Sequence, residues 1–201
     1  MDNERPSPPF DVIAQSILDE LRQTLNQISC DEFAALVREV TGARRVFVAG
    51  AGRSGLVMRS FAMRLAQLGL LVHVVGETTS PPIRPGDLLL IGSGSGVTDR
   101  LVHYAGKAAE AGARVAAATT DPDSPAARRA DVVVVIPAPT PKSPVETGSK
   151  KTGGPEQRSG QPMGTLFEQS LGVMLDACVL LLMARLDETG QSMFARHANL
   201  E

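Results

Sequence analysis

Val46-Phe47-Val48-Ala49-Gly50-Ala51-Gly52-Arg53-Ser54-Gly55 is a short β-rich run that ends in glycines and passes directly into a helical pattern. Val57, Phe61, Leu65 and Leu68 then recur on one side of a segment spanning 54–68. A second copy of this grammar follows. An apolar run at 88–91 ends in Gly92-Ser93-Gly94-Ser95-Gly96-Val97-Thr98 and leads into a helical stretch at 98–111. Three more β-rich runs lie at 71–75, 114–118 and 132–136. Strands that alternate with helices require right-handed crossovers and a parallel sheet. Continuous apolar runs fit strands covered on both faces. The expected fold is therefore α/β: a doubly wound, five-stranded parallel sheet flanked by helices. In the flavodoxin-like order 2-1-3-4-5 the first and third strands are neighbours, and both glycine-rich loops open onto one crevice at the topological switch point.

Outward from this core, apolar residues Ile13, Ile17, Leu21, Leu25 and Ile28 mark an N-terminal helix. A second helix from Asp31 carries Phe33, Leu36, Val37 and Val40, and Gly42 is its stop signal. Residues 137–162 are rich in Pro, Gly, Ser, Thr and Lys and read as a flexible loop, either a disordered connector or a lid over the crevice. A long apolar helix follows at about 166–186, then a short helix and a tail. The chain is thus expected to be one domain: N-terminal helices at 1–44, the parallel core at 45–136, the loop at 137–162, and C-terminal helices and tail at 163–201.

Composition narrows the possible functions. Aromatics make up 3% of the chain and Trp is absent, which argues against stacking bases or sugar rings on aromatic surfaces. A net charge of −2, with no basic run longer than Lys150-Lys151, leaves no footprint for nucleic acid. The start of the chain is acidic and Pro-rich, unlike a signal peptide. The apolar stretch 171–186 contains Asp176 and Arg185 and is short for a membrane span, so it reads as a buried helix. Cys30 and Cys178 lie far apart, and each reads as a buried, inert thiol of a reduced cytoplasmic protein.

The two loops carry the chemistry. Glycines allow close backbone approach, helix N-termini offer unpaired N–H groups, and the hydroxyls of Ser54, Ser93, Ser95 and Thr98 add donors for a phosphate ester. Gly52, Arg53 and Gly94 complete the candidate binding set, with Arg53 either neutralising anionic charge or serving as a surface cation. Gly50-x-Gly52-x-x-Gly55 also fits part of a dinucleotide fingerprint. Only Glu77, just beyond the second strand, could serve as the ribose-binding acid, and the second Ser/Gly loop opposes that reading. No His, Cys or carboxylate cluster has metal-ligand spacing, so neither metal nor cofactor is expected.

These motifs resemble the SIS (sugar isomerase) domain family over nearly the whole chain. The resemblance rests on Gly52-Arg53-Ser54-Gly55 with Arg64-Leu65, Val75-Gly76-Glu77-Thr78, Gly86-Asp87 ahead of Ser93-Gly94-Ser95-Gly96, Ser124-Pro125, Ala130-Asp131, and Pro162-Met163-Gly164-Thr165-Leu166-Phe167-Glu168. The Val-Gly-Glu-Thr and Gly-Thr-Leu-Phe-Glu stretches and the terminal Ala195-Arg196-His197-Ala198-Asn199-Leu200-Glu201 narrow the similarity to the 6-phospho-3-hexuloisomerase branch. The branch implies isomerisation of 3-hexulose 6-phosphate to fructose 6-phosphate through a cis-enediol, without cofactor. It also implies a place in the ribulose monophosphate pathway of formaldehyde assimilation beside 3-hexulose-6-phosphate synthase, and a homotetramer built from dimers. Other SIS isomerases, acting on arabinose 5-phosphate or sedoheptulose 7-phosphate, and non-catalytic sugar-phosphate regulators are the alternatives.

Carbonyl transfer needs a positioned base and stabilisation of the developing oxyanion. Glu168 is the candidate base, although Thr165-Leu166-Phe167-Glu168 also has the form of a capping box. His197 is the candidate for moving a proton between substrate oxygens, or is an exposed tail residue. His73 and His103 read as structural.

Overall fold

A computed structural model describes residues 8–139 and 159–199. Most of the 137–162 loop, the extreme N-terminus and the last two residues therefore lie outside the described residues, and with them the choice between connector and lid.

Helices α1 (Phe10–Leu25) and α2 (Cys30–Gly42) lead into strand β1 (Val46–Gly50). Helix α3 (Gly52–Gln67), β2 (Val72–Val74), β3 (Leu88–Gly92), α4 (Asp99–Glu110), β4 (Arg114–Thr119) and β5 (Val132–Val135) follow. Helices α5 (Thr165–Leu186) and α6 (Gly190–Phe194) end the described chain. The five strands form one sheet in the order β2-β1-β3-β4-β5, and every pair is parallel, as expected from the alternation of strands and helices.

Alternation along each strand divides the core between the two faces. Val46, Val48, Leu88 and Leu90 pack with α2, α3 and α5. Phe47, Ala49, Leu89 and Ile91 pack with α4 residues Leu101, Ala105 and Ala108. Pairing of β1 with β3 runs from Val46 opposite Leu88 to Gly50 opposite Gly92, so the two glycine-bearing strand ends finish side by side. At the β1 end, a Cβ on Gly50 would come within 2.8 Å of the Gly55 Cα. Only glycine at both positions lets the strand end and the first turn of α3 touch.

Helix α5 starts within one residue of its expected position and has 22 residues, enough in length and mean hydropathy to cross a membrane. Half of its most apolar window is buried against the rest of the chain, with Leu171, Cys178 and Leu182 at 0% exposure. Cys178 is a core thiol whose burial pushes its pKa up to about 12. Cys30, by contrast, is exposed, because it is the first residue of α2, a turn and a half ahead of the buried positions Leu36, Val37 and Val40.

Candidate functional site

Three helix N-termini meet at the carboxyl end of the sheet. The N-cap positions of α3, α4 and α5 are Ala51, Thr98 and Gly164, and none supplies a side-chain capping bond. The first N–H groups of a helix have no partner within it, and they carry the positive end of its dipole. Ala51 and Gly164 have no side chain that could cap, and the Thr98 hydroxyl is not used as one. The result is a crevice of about 550 Å³ lined by Gly52, Arg53, Ser54, Ser93, Gly94, Ser95, Thr98 and Glu168.

Every binding candidate named from the sequence, and Glu168, lies on this crevice. Ser93 and Ser95 are nearly buried, and each hydroxyl oxygen accepts a backbone N–H: Gly96 to Ser93 at 3.2 Å and Val97 to Ser95 at 3.5 Å. A hydroxyl that accepts from the backbone keeps its own proton to donate. Gly96 closes this loop at φ +60°, and a Cβ there would come within 2.1 Å of the Ser124 Oγ. The Ser/Gly alternation therefore serves both donor placement and backbone shape.

Glu168 is held differently from the capping box that its sequence suggests. The chain turns through Pro162, Met163 and Gly164, with Met163 at φ +57°. Gly164 becomes the N-cap, one residue earlier than a capping box would need, so Phe167 occupies the third helical position. Thr165 Oγ1 donates to the Pro162 carbonyl at 2.6 Å instead of capping the helix. The Glu168 carboxylate is left free of the helix backbone and forms an ion pair with Arg53, Oε2 to Nε 2.9 Å. Its side chain is 16% exposed while that of Arg53 is 62% exposed, so the carboxylate faces the crevice and the guanidinium borders it. Arg53 is thus an exposed cation paired with Glu168 at the rim of the crevice.

His197 is not brought to this crevice by its own chain. Arg196 donates to the Gln67 carbonyl at 3.0 Å and to both oxygens of Glu188. Hydrogen bonds from Arg196 and Ser192 hold the Glu188 carboxyl down at about 2. The tail is thereby pinned at the C-terminal end of α3, whereas the crevice lies at its N-terminal end, roughly 22 Å away along the helix axis. His197 is exposed and rests against Phe194, ring centroids 5.9 Å apart.

Glu77, the one acid placed for a ribose contact, pairs with Arg59 at 2.9 Å. His73 stacks on Phe47 at 5.1 Å within the sheet, and His103 lies on α4. Among the described residues no group of three or more His, Cys, Asp or Glu side chains is arranged to hold a metal. The sequence reading missed Met163, Gly164, Thr165 and Phe167 as lining residues. Their signal was the Pro-Met-Gly turn before α5, which supplies the third open helix N-terminus.

The chain belongs to the SIS domain family, whose signature matches residues 39–152. Four of its relatives are named 3-hexulose-6-phosphate isomerase. That of Mycobacterium gastri is 46% identical over 92% of this chain and 88% of its own length. That of Bacillus subtilis is 44% identical over 92% of this chain and 95% of its own. Among solved structures, a hypothetical protein from Methanococcus jannaschii superimposes with a TM-score of 0.73 at 29% identity, covering 95% of this chain and 98% of that one. Its structure was taken to infer a molecular function of 3-hexulose-6-phosphate isomerase.

Proposed function

We propose that the chain is a 3-hexulose-6-phosphate isomerase that converts its substrate to fructose 6-phosphate. The observation that carries the chemistry is the crevice itself, where three open helix N-termini and the Ser93 and Ser95 hydroxyls face one carboxylate, Glu168. The names of the two bacterial relatives support the choice of substrate.

The phosphate sits on the β3–α4 loop, receiving N–H and O–H donors from Ser93 to Thr98, with Ser54 closing from the β1–α3 side. The carbon chain then extends toward Glu168. Its carboxylate removes the proton from C2, and the electron pair forms the C2–C3 double bond of a cis-enediolate as the C3 carbonyl oxygen takes up negative charge. The same proton, returned to C3, leaves the carbonyl at C2. One further proton passes from the C2 oxygen to the C3 oxygen, so atoms and charge balance without an external reductant. Arg53 has two uses: it orients Glu168 and offers its guanidinium to the enediolate.

His197 is assigned to the oxygen-to-oxygen proton transfer in the crevice of a neighbouring subunit, since its own tail is pinned at the far end of α3. On this reading the enzyme is a cytoplasmic homotetramer built from dimers, working in the ribulose monophosphate pathway and supplied by 3-hexulose-6-phosphate synthase. Exposed apolar residues support assembly: Phe10, Val12 and Leu18 on α1, and Val173, Leu180 and Leu181 on α5.

The deciding experiment is NMR detection of fructose 6-phosphate from enzymatically prepared 3-hexulose 6-phosphate. Turnover of that substrate is expected. Turnover of arabinose 5-phosphate alone would reassign the enzyme to a different sugar, and binding without turnover would make it a sensor.

A further inference from the structure

We infer that Glu20, on the N-terminal helix and outside the crevice, is a positioning residue for the reaction: its carboxylate holds the turn that fixes where α5, and with it Glu168, begins. The inference rests on the functional reading above, because it matters only if the placement of Glu168 matters.

Three successive residues converge on this one side chain. Glu20 accepts from Ser159 Oγ at 2.5 Å, from the Gly160 N–H at 2.9 Å and from Gln161 Nε2 at 3.2 Å. Ser159 Oγ also accepts the Gln161 N–H at 3.0 Å, which closes the turn on itself. Pro162 comes next, and its carbonyl receives both the N–H and the hydroxyl of Thr165. Gly164 then accepts the Glu168 N–H at 3.0 Å. A continuous chain of bonds thus runs from α1 to the backbone of the candidate base.

All three donors require an acceptor, and a carboxylate is the side chain that offers only acceptors. Burial alone would raise the Glu20 pKa, but hydrogen bonds from Ser159, Gly160 and Gln161 outweigh it and hold the carboxyl below its ordinary value. The anchor therefore stays ionised at neutral pH. The turn needs an anchor because Met163 sits at φ +57°, a backbone region that a residue with a side chain occupies only when its surroundings hold it there. Met163 itself is 79% exposed and supplies no packing of its own. With Glu20 in place, the strained residue is bracketed by Gln161 on one side and by the first turn of α5 on the other. Supports of this kind, outside the reacting groups, decide whether a site is held to within a fraction of an ångström.

The test compares Glu20→Ala and Glu20→Gln with wild type in the whole 201-residue chain. Misplacing a base by about 1 Å can cost up to a hundredfold in rate, so Glu20→Ala is expected to lower kcat about tenfold or more. KM should stay within about threefold, because the phosphate is held by the β1 and β3 loops, which Glu20 does not touch. Glu20→Gln keeps one acceptor oxygen and should recover part of the loss; it also carries the comparison if Glu20→Ala does not fold. Hydrogen exchange supplies a readout free of substrate. The amides of Thr165 and Glu168 should exchange faster in the variants, while those of Leu89 and Leu90 in β3 stay unchanged. A lowered melting temperature with kcat per folded enzyme unchanged, or unchanged exchange at Thr165 and Glu168, would overturn the inference. Wild-type protein inactive on 3-hexulose 6-phosphate would instead overturn the functional reading, and the exchange data would still decide whether Glu20 holds the turn.

Discussion

At the scale of single residues, the Arg53–Glu168 ion pair is where the proposed binding and chemistry meet. The carboxylate is only partly exposed and has a cationic partner at 2.9 Å, so it is oriented before substrate arrives. Glu168→Gln preserves the size of the side chain but removes the proton acceptor. Turnover should fall by a factor of about a hundred or more while KM changes little, measured by steady-state kinetics. Because Gly164 and not Thr165 caps α5, the same substitution should leave the melting temperature close to wild type. The phosphate hydroxyls should behave in the opposite way. Ser93→Ala and Ser95→Ala should weaken binding of fructose 6-phosphate by about 1–3 kcal/mol each, read by calorimetry, with a smaller effect on kcat. Unchanged affinity in the double variant would remove the phosphate from the β3–α4 loop.

Elements matter through their ends. Helices α3, α4 and α5 point their N-termini into the crevice, and the strands deliver them there through register: Gly50 pairs with Gly92. The opposite, amino end of the strands has its own fastening. Asp87, at 1% exposure, accepts from Arg45 at 3.1 and 2.6 Å, from Arg44 at 3.1 Å and from the Arg84 N–H at 2.8 Å. Burial pulls the Asp87 pKa up, but the bonds and charges of Arg45, Arg84 N–H and Arg44 outweigh it, so the folded value lies below the ordinary one. The stability this group contributes is therefore complete above its unfolded pKa of about 3.9 and is lost as pH falls through the lower folded value. Asp87→Ala should cost about 2 kcal/mol in urea melts at pH 7. That difference should shrink below about pH 4, where the wild-type carboxylate begins to lose its advantage. A difference that stays constant down to pH 2 would show that Asp87 acts by packing alone.

For the whole molecule, the tail and the crevice lie at opposite ends of α3, and a subunit that uses both must borrow one of them. The Arg196 clamp on Glu188 and Gln67 holds the tail away from its own crevice, which the proposed sharing between subunits requires. Mixed oligomers of Glu168→Gln and His197→Asn chains should then regain activity that neither homo-oligomer has. In a random dimer about half of the assemblies are hybrids, and each hybrid holds one site with both native groups, so about a quarter of wild-type sites should return. No recovery on mixing, with His197→Asn alone fully active, would remove His197 from the mechanism. Light scattering at micromolar concentration checks the assembly directly, and a monomer there would exclude sharing between subunits.

Sequence by itself determined the sheet. Buried parallel strands must be continuously apolar and their connections must be helical, so 46–49 and 88–91 could be read as strands of a parallel sheet, and the flavodoxin-like order 2-1-3-4-5 taken for that sheet is the one the fold has. It also made the two Ser/Gly loops legible as candidates, because Gly52, Gly94 and the serines between strand and helix are local features whose geometry depends on residues a few positions apart. Glu168 was legible as a candidate but not as to role: a capping box and a free carboxylate share one local pattern, and a one-residue shift in the helix start decided between them. That shift is set by the Met163 turn and by Glu20, 139 residues before Ser159 in the chain. Arg53 as the partner of Glu168 and the pinning of His197 away from its own crevice are likewise long-range. Local spacing encodes dihedral preference and one-sided burial. Which side chains meet across α1, α3 and α5 depends on how three helices lie on a sheet face, and only the folded chain fixes that.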